Sequence, residues 1–577
     1  MKRWGLVGLV ALVSCMPDGP PMPEALEHIC PGVIAGGLPE APLAMSAPDT
    51  DAEDSRERFL VRYRRDARMA ASSRVHALGG RVTATLRSVP AVAARLSPQQ
   101  RLALSADPAV EAIEPDEELR ALGPATLPAR SLVGAASRGA VQGEYTDGLR
   151  QVQANAVWDR DNDGAPDPGS PTGAGVKVCV IDSGIDPEHP ELRAAMARGL
   201  DLLDGDDDPS DSGNGRWGTG HGTHVAGIIG ARPGLGGRGT PVLDEGGVMG
   251  VAPGSELLIV RVLDLQGRTH MSLVLMALEY CVDQGAKVVS LSLGGGLGTP
   301  TTREAFKAAV DRGVLVVAAS GNDGDNVVSY PGSDPSVLAV GAVDAQNRRA
   351  FFSSGGSALA LVAPGVDVLS TFPRELGAFA SLRVGDTQPL TRSLLYGPTG
   401  APVGALVDCG TGETMDSCRE GGTCAGFIAY VHPSRAPAEH VMVNVMRQGA
   451  RAVVFSNDTV ESGVEILAVP QRGQWVPAVT LNQPGSSVVG RQLGAMVQVN
   501  VRSADYAYMS GTSMATPYVS GVAALLFSAV PTATPAAVRH ALLSTAKDLG
   551  PAGHDDGFGH GLVQARAALE ALVGSSP

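Results

Sequence analysis

The chain reads as α/β, a parallel sheet flanked by helices, and three observations carry that reading. Val176–Ile181, Leu257–Val262, Lys287–Leu293, Val314–Ala319 and Val337–Val343 are short apolar runs rich in β-branched residues, the pattern of fully buried strands. Helix-length segments such as Ser272–Gln284 separate them, which is the alternation of βαβ units. Residues able to do chemistry stand at element ends beside glycine: Asp182 before Ser183-Gly184, His221 between Gly220 and Gly222, Asn322 after Gly321, and Ser513 after Gly511-Thr512. Open parallel sheets collect their functional groups at such ends.

A chain of 577 residues exceeds what one core supports, so several domains are expected. With 44% hydrophobic residues and 73 glycines the composition is globular with many tight turns. A net charge of −15 argues against nucleic-acid binding and leaves no basic patch for a membrane.

Taken in order, Lys2 and Arg3 precede an apolar stretch, Trp4–Val13, too short to cross a bilayer but suited to a signal peptide. Leu12-Val13-Ser14-Cys15 resembles a bacterial lipobox, which implies lipidation of Cys15 and a signal segment 1–15. Residues 16–55, rich in Pro, Ala and Gly, read as a flexible tether. Residues 56–118 form a small α+β unit: strand Arg58–Tyr63, helix Ala67–Leu78, strand Arg81–Leu86, a helix capped at Ser97 and running to Ser105, and a closing segment Val110–Asp116. The small residues of 119–150 look like a cleavable linker. The main sheet domain spans 151–372 and 503–572. The segment 373–502 between them carries its own strands (Ala405–Cys409, Phe427–Val431, Gly449–Asn457, Val476–Leu481) and a helix, His440–Gln448.

Two other motif readings, a zinc site and a nucleophile elbow, fail. His221 and His224 lack the Glu of the H-E-x-x-H zinc pattern, and Gly511-Thr512-Ser513-Met514-Ala515 has Ala where the G-x-S-x-G elbow needs glycine. The order Asp182, His221, Ser513 with these flanking motifs instead resembles the subtilisin-like serine peptidases, the subtilases. The resemblance implies a triad in which His221 takes the Ser513 proton, Asp182 orients His221, and Asn322 with the Ser513 N–H holds the oxyanion. It implies a subtilisin-like sheet, no cofactor for catalysis, a substrate edge at Ser292, Leu293 and Gly294, and Ser329 at the floor of the pocket for the residue before the cut. Residues 56–118 resemble the family's inhibitory propeptide, and 373–502 resembles a protease-associated (PA) domain. A Ser513 turn standing before a helix, Tyr518–Phe527, is expected.

Asp159, Asp161, Asp163 and Asp167 have the carboxylate spacing of the first half of a calcium loop, and Asp201–Asp211 is a second acidic cluster, so structural calcium is a candidate. Of seven cysteines, Cys179 and Cys281 read as buried thiols, and one pair among Cys409, Cys418 and Cys424 closes a loop. The combined expectation is an exported, lipid-anchored or secreted serine endopeptidase acting on protein or peptide substrates. It is made as a self-processing zymogen inhibited by its own propeptide, has no nucleic-acid partner, and meets the membrane only through Cys15. The alternative is a catalytically silent adhesion or binding lipoprotein on the same scaffold.

Overall fold

The computed structural model describes residues 56–122, 144–213, 216–217, 219–234, 247–418, 426–457, 467, 469 and 474–574. The signal segment, Cys15, the tether, residues 123–143 of the linker and Cys424 lie outside the described residues. No described helix is long and apolar enough to cross a membrane.

Seven parallel strands form the main sheet, in the order Leu359–Pro364, Val337–Val343, Leu315–Ala319, Val288–Leu291, Lys177–Asp182, Glu256–Arg261, Met196–Asp201. Lys177–Asp182 comes first in the chain yet lies inside the sheet, so strand order reverses beside it and opens a crevice at the carboxyl ends. Asp182 is the last residue of that strand. Side chains alternate between faces along it. Val178 and Val180 join a core with Val225 and Ile229 of the His221–Gly230 helix and Val519, Val522 and Leu526 of the Thr512–Ala529 helix. Cys179 and Ile181 join the opposite core with Val274, Leu278 and Cys281 of the Met271–Asp283 helix.

That alternation corrects the reading of Cys179 and Cys281 as thiols: they form a disulfide, with Cα atoms 5.8 Å apart. The pairing depends on which face of which helix covers the strand, and nothing local to either cysteine reveals it. Cys409 pairs with Cys418, closing a short loop. The Lys287–Leu293 run also divides. Val288–Leu291 stays in the main sheet, while Leu293–Gly294 leaves it to pair elsewhere.

The N-terminal unit is an antiparallel sheet in the order Arg81–Thr85, Ala91–Leu96, Glu57–Tyr63, Val110–Pro115. Its Pro98–Ser105 helix has the full capping box between Ser97 and Gln100. The helix expected over Ala67–Leu78 is a tighter 3₁₀ turn, Arg65–Ala70, followed by Ala71–Ala77. Carboxylates attach the unit to the main domain. Asp116 accepts from the Ser272 N–H and hydroxyl, each at 2.8 Å, and Glu114 from the Thr301 N–H at 3.4 Å. Both N–H groups lie in first helical turns, where donors lack intrahelical partners and the dipole favours negative charge. In the other direction Glu279 accepts from the Ser88 N–H and hydroxyl.

Residues 119–122, expected in the linker, instead continue the unit as a strand, Glu118–Ala121, lying between Arg268–His270 and Leu293–Gly294 and antiparallel to both. At the other end of the expected linker, Thr146 caps the Asp147–Gln151 helix.

The 373–502 segment builds a mixed seven-stranded sheet of its own. Its entering and leaving strands, Gly377–Val384 and Met496–Ala504, pair antiparallel along their length. Phe427–Val431, Ala450–Phe455 and Ala478–Leu481 run parallel, with the Ala438–Arg447 helix packed over them.

Candidate active site

Four element ends converge in the crevice. Asp182 and His221 are buried, and His221 Nδ1–H donates to Asp182 Oδ1 at 2.7 Å. The same oxygen accepts the Ser183 N–H at 2.7 Å. Since an ionised carboxylate can only accept, Nδ1 carries a proton, and in the neutral imidazole that tautomer leaves the lone pair on Nε2. His221 Nε2 is buried without a hydrogen-bond partner among the described residues. Ser183 extends the network: its Oγ accepts the Gly222 N–H and donates to Asp211. Burial pushes the Asp211 carboxyl well above the usual carboxylate range.

His224, on the same helix, has a different part. Its Nε2–H faces the carbonyls of Val368 and Ala507, each at 3.1 Å, so it ties the helix to the antiparallel pair Val368–Thr371 and Tyr506–Met509. Burial, reinforced by His221, lowers its pKa to about 3 and keeps it neutral.

Ser513 does not stand in a turn before a helix. The helix begins at Thr512, placing Ser513 in its first turn and Pro517 in its interior. A proline there cannot donate to the carbonyl one turn earlier. That carbonyl belongs to Ser513, and the Ser292 hydroxyl takes it at 2.8 Å. The Ser513 hydroxyl lies 2.5 Å from the Leu122 carbonyl oxygen and 2.9 Å from that of Ser292. Asn322 Nδ2 donates to the same Leu122 oxygen at 2.7 Å. The amide orientation is set from behind, because Asn322 Oδ1 accepts from the Thr512 N–H and hydroxyl, both at 2.9 Å. Gly321 before it has φ +117°, and a Cβ there would lie 2.7 Å from the Ser329 hydroxyl.

The other sequence-derived positions line the crevice. Leu293 and Gly294 pair with Ala121 and Arg120, and the Ser292 carbonyl accepts the Leu122 N–H at 3.2 Å. A Cβ on Gly294 would sit 3.0 Å from Leu122 Cδ1 and 3.1 Å from Ser329 Cβ, so the leucine tip occupies space that glycine leaves open. Sequence reasoning missed Leu122 itself and also Tyr396. The Tyr396 hydroxyl donates to the Thr219 carbonyl, and Thr219 Oγ1 accepts the His221 N–H at 3.3 Å.

Of the acidic loops, Asp159, Asp161 and Asp167 bring carboxylate oxygens within 4.8 Å of one another, an all-oxygen set suited to a hard cation. Asp163 is not in the group: it contributes its backbone N–H to Asp159 and Asp161, and its carboxylate accepts the Ala165 N–H. Burial alone would raise the Asp159 carboxyl, but the Tyr145 hydroxyl and the Gly164 and Asp163 N–H groups hold it below its ordinary value. The Asp201–Asp211 cluster does not gather as a cation site among the described residues. Arg261 supplies positive charge to Asp201 and Asp204, while Asp211 turns to Ser183.

The sequence matches the Subtilase family over residues 173–396 and 441–561, more than half of the chain, and the chain belongs to that family. It is 38% identical over 286 residues to the alkaline protease of Shouchella clausii, a match covering 50% of this chain and 63% of that protein, so somewhat under two thirds of that relative is spanned. Subtilisin E of Bacillus subtilis strain 168 is 32% identical over 341 residues, 57% of this chain and 77% of the relative. Among solved structures, the psychrophilic subtilisin-like protease Apa1 from the Antarctic psychrotroph Pseudoalteromonas sp. AS-11 aligns at TM-score 0.54 and 30% identity, over 75% of this chain and 99% of that one. Fervidolysin from Fervidobacterium pennivorans, described as a keratinolytic enzyme related to subtilisin, shares the fold at TM-score 0.55 and 23% identity, over 89% of this chain and 61% of that one.

Proposed function

We propose that the protein is a serine endopeptidase made as a zymogen, with Ser513 as nucleophile, His221 as general base and acid, Asp182 as its orienter, and Asn322 as an oxyanion donor. The observation that carries this reading is the convergence of Asn322 Nδ2 and the Ser513 hydroxyl on one carbonyl oxygen, in the same crevice as an Asp182–His221 pair closed at 2.7 Å. In the reaction the Ser513 hydroxyl turns from its carbonyl partners to His221 Nε2, gives up its proton and attacks the substrate carbonyl carbon. Charge forming on that oxygen is met by Asn322, already aimed by Thr512, and by the Ser513 N–H. His221 then protonates the leaving amine, and water repeats the sequence on the ester.

In this reading residues 56–122 are the propeptide and occupy the cleft, residues 373–502 are a PA-like insertion at its wall, and Cys15 anchors an exported chain. Asp159, Asp161 and Asp167 would hold a calcium ion that stabilises the fold without entering the chemistry. Hydrolysis of a chromogenic peptide by the wild type and by Ser513→Ala tests the assignment: activity retained by the variant overturns it. A silent adhesion protein on this scaffold would leave neither chain active.

A further inference from the structure

His221 Nε2 has no hydrogen bond among the described residues, so the aim of the ring depends on Asp182 at Nδ1 and on the backbone behind it. That backbone is gripped residue by residue. The His221 N–H donates to Thr219 Oγ1 at 3.3 Å, and the Gly222 N–H to Ser183 Oγ at 2.9 Å. Gly220 has φ +66°, and a Cβ there would lie 2.7 Å from the Phe372 ring and 2.8 Å from Pro373 Cδ. The Thr219 carbonyl accepts from the Tyr396 hydroxyl, and no other donor reaches it among the described residues.

Tyr396 brings the 373–502 insertion to this loop. Leu394 packs in the insertion's own core, whereas the next residue, Leu395, is buried in the main core together with Phe372. Tyr396 then adopts φ +62°, a left-handed conformation that a bulky residue keeps only where its surroundings hold it. Its ring centroid lies 6.1 Å from that of Phe372. Burial, with the Asp211 carboxyl adding to it, pushes the hydroxyl up, so it remains a donor in alkaline solution. The insertion also holds the loop that follows Asp182. Arg374 donates from its backbone N–H at 2.9 Å and from Nε at 2.8 Å to one oxygen of Asp186, a buried carboxylate.

We propose that Tyr396 is a positioning residue for His221, and that the insertion thereby sets the alignment of the Asp182–His221 pair even for substrates too small to touch it. The inference rests on His221 being the general base. A Thr219 peptide released from Tyr396 is free to rotate, taking with it the Oγ1 that holds the His221 N–H. The imidazole then meets the Ser513 hydroxyl off line. A displacement of about 1 Å can cost roughly 10² in rate, and losing one of several supports costs less. The edge at Leu293–Gly294 contains no part of this linkage, so the loss falls on kcat and spares KM.

The test compares Tyr396→Phe with Tyr430→Phe in the processed protein, assayed on a short chromogenic peptide. Tyr430 is the control because its hydroxyl, also buried, donates to the Ser486 carbonyl at 2.9 Å within the insertion. Tyr396→Phe should lower kcat by about two- to tenfold and change KM by less than about twofold, the scale of one lost hydrogen bond that substrate does not share. Tyr430→Phe should leave both constants unchanged. The far-downfield proton resonance of the Asp182–His221 hydrogen bond should move or broaden in the first variant and stay in place in the second. An unchanged kcat in Tyr396→Phe, a loss carried by KM, an equal loss in Tyr430→Phe, or an unmoved resonance overturns this inference and leaves the proposed function standing. A wild type without hydrolysis, or hydrolysis that survives Ser513→Ala, overturns the proposed function instead.

Discussion

The N-terminal unit and the 373–502 insertion lean on the same parallel sheet in opposite ways. The N-terminal unit has a private core around Val61, Val75 and Leu104 and meets the main domain through carboxylates at helix starts, one backbone-paired strand, and an apolar face in which Leu60, Leu86 and Val89 share a buried core with Val274 and Leu278. The insertion is joined at both ends. Val368–Thr371 pairs with Tyr506–Met509 at its base, Arg392 grips Asp367 with two bonds of 2.7 and 2.8 Å and lies 3.6 Å over the Tyr508 ring, and Tyr396 reaches the Thr219 carbonyl beside His221. A single covalent tie suits an occupant that leaves after one cut. Two covalent ties and a buried cation–aromatic contact suit a permanent wall. Under the proposed function the first unit blocks the site and the second props it.

The comparison can be broken most severely at the chemistry both units adjoin. Ser513→Ala should leave the N-terminal unit attached and abolish peptide hydrolysis; in subtilisin, of the same family, removing the nucleophile costs about 2 × 10⁶ in kcat. Asn322→Ala should lower kcat by about 10²–10³, again the scale known from subtilisin, with KM little changed in steady-state assays. Breaking the Cys179–Cys281 bridge by Cys281→Ala should cost about 2–5 kcal/mol in urea unfolding, since the bridge closes a loop with sequence separation 102. The prop is tested by Tyr396→Phe. Losing one hydrogen bond of about 0.5–1.5 kcal/mol should lower kcat on a small peptide by up to about tenfold and leave inhibition by added residues 56–122 unchanged. Asp116→Ala should do the reverse, weakening that inhibition while sparing kcat. A Tyr396→Phe enzyme with unaltered kcat would make the insertion a bystander.

The smallest effect concerns pH. His224 has its pKa pushed down to about 3, below its ordinary value of 6.5. Its contribution to stability is therefore complete above pH 6.5 and is lost as pH falls from there toward 3. The slope from one proton is at most about 1.4 kcal/mol per pH unit. Thermal melts of Ser513→Ala with and without His224→Gln should show the double variant weaker at pH 8 but losing less between pH 6.5 and 4.

The positions around the crevice were legible because each motif is local: a buried strand ends at Asp182, glycines flank His221, and Gly321 precedes Asn322. What escaped was pairing between distant segments. Leu119-Arg120-Ala121-Leu122 resembled a linker because its partners, Arg268–His270 and Leu293–Gly294, lie far along the chain. Cys179 and Cys281 resembled free thiols because a helix had to be docked before they met. Ser513 resembled a turn before the helix because the Ser292 hydroxyl, which takes the Ser513 carbonyl that Pro517 leaves without a donor, is remote in sequence. Asp163 shares the spacing of its neighbours, but its carboxylate turns away to cap Ala165.

The most direct measurement is labelling with a fluorophosphonate, mapped by peptide mass spectrometry on the processed protein with and without added residues 56–122. Stoichiometric label on Ser513, lost in His221→Ala and suppressed by the added segment, is the predicted result. Label on another residue, or on Ser513 at an undiminished rate with the segment in excess, would contradict a Ser513 nucleophile that the chain's own Leu122 strand covers.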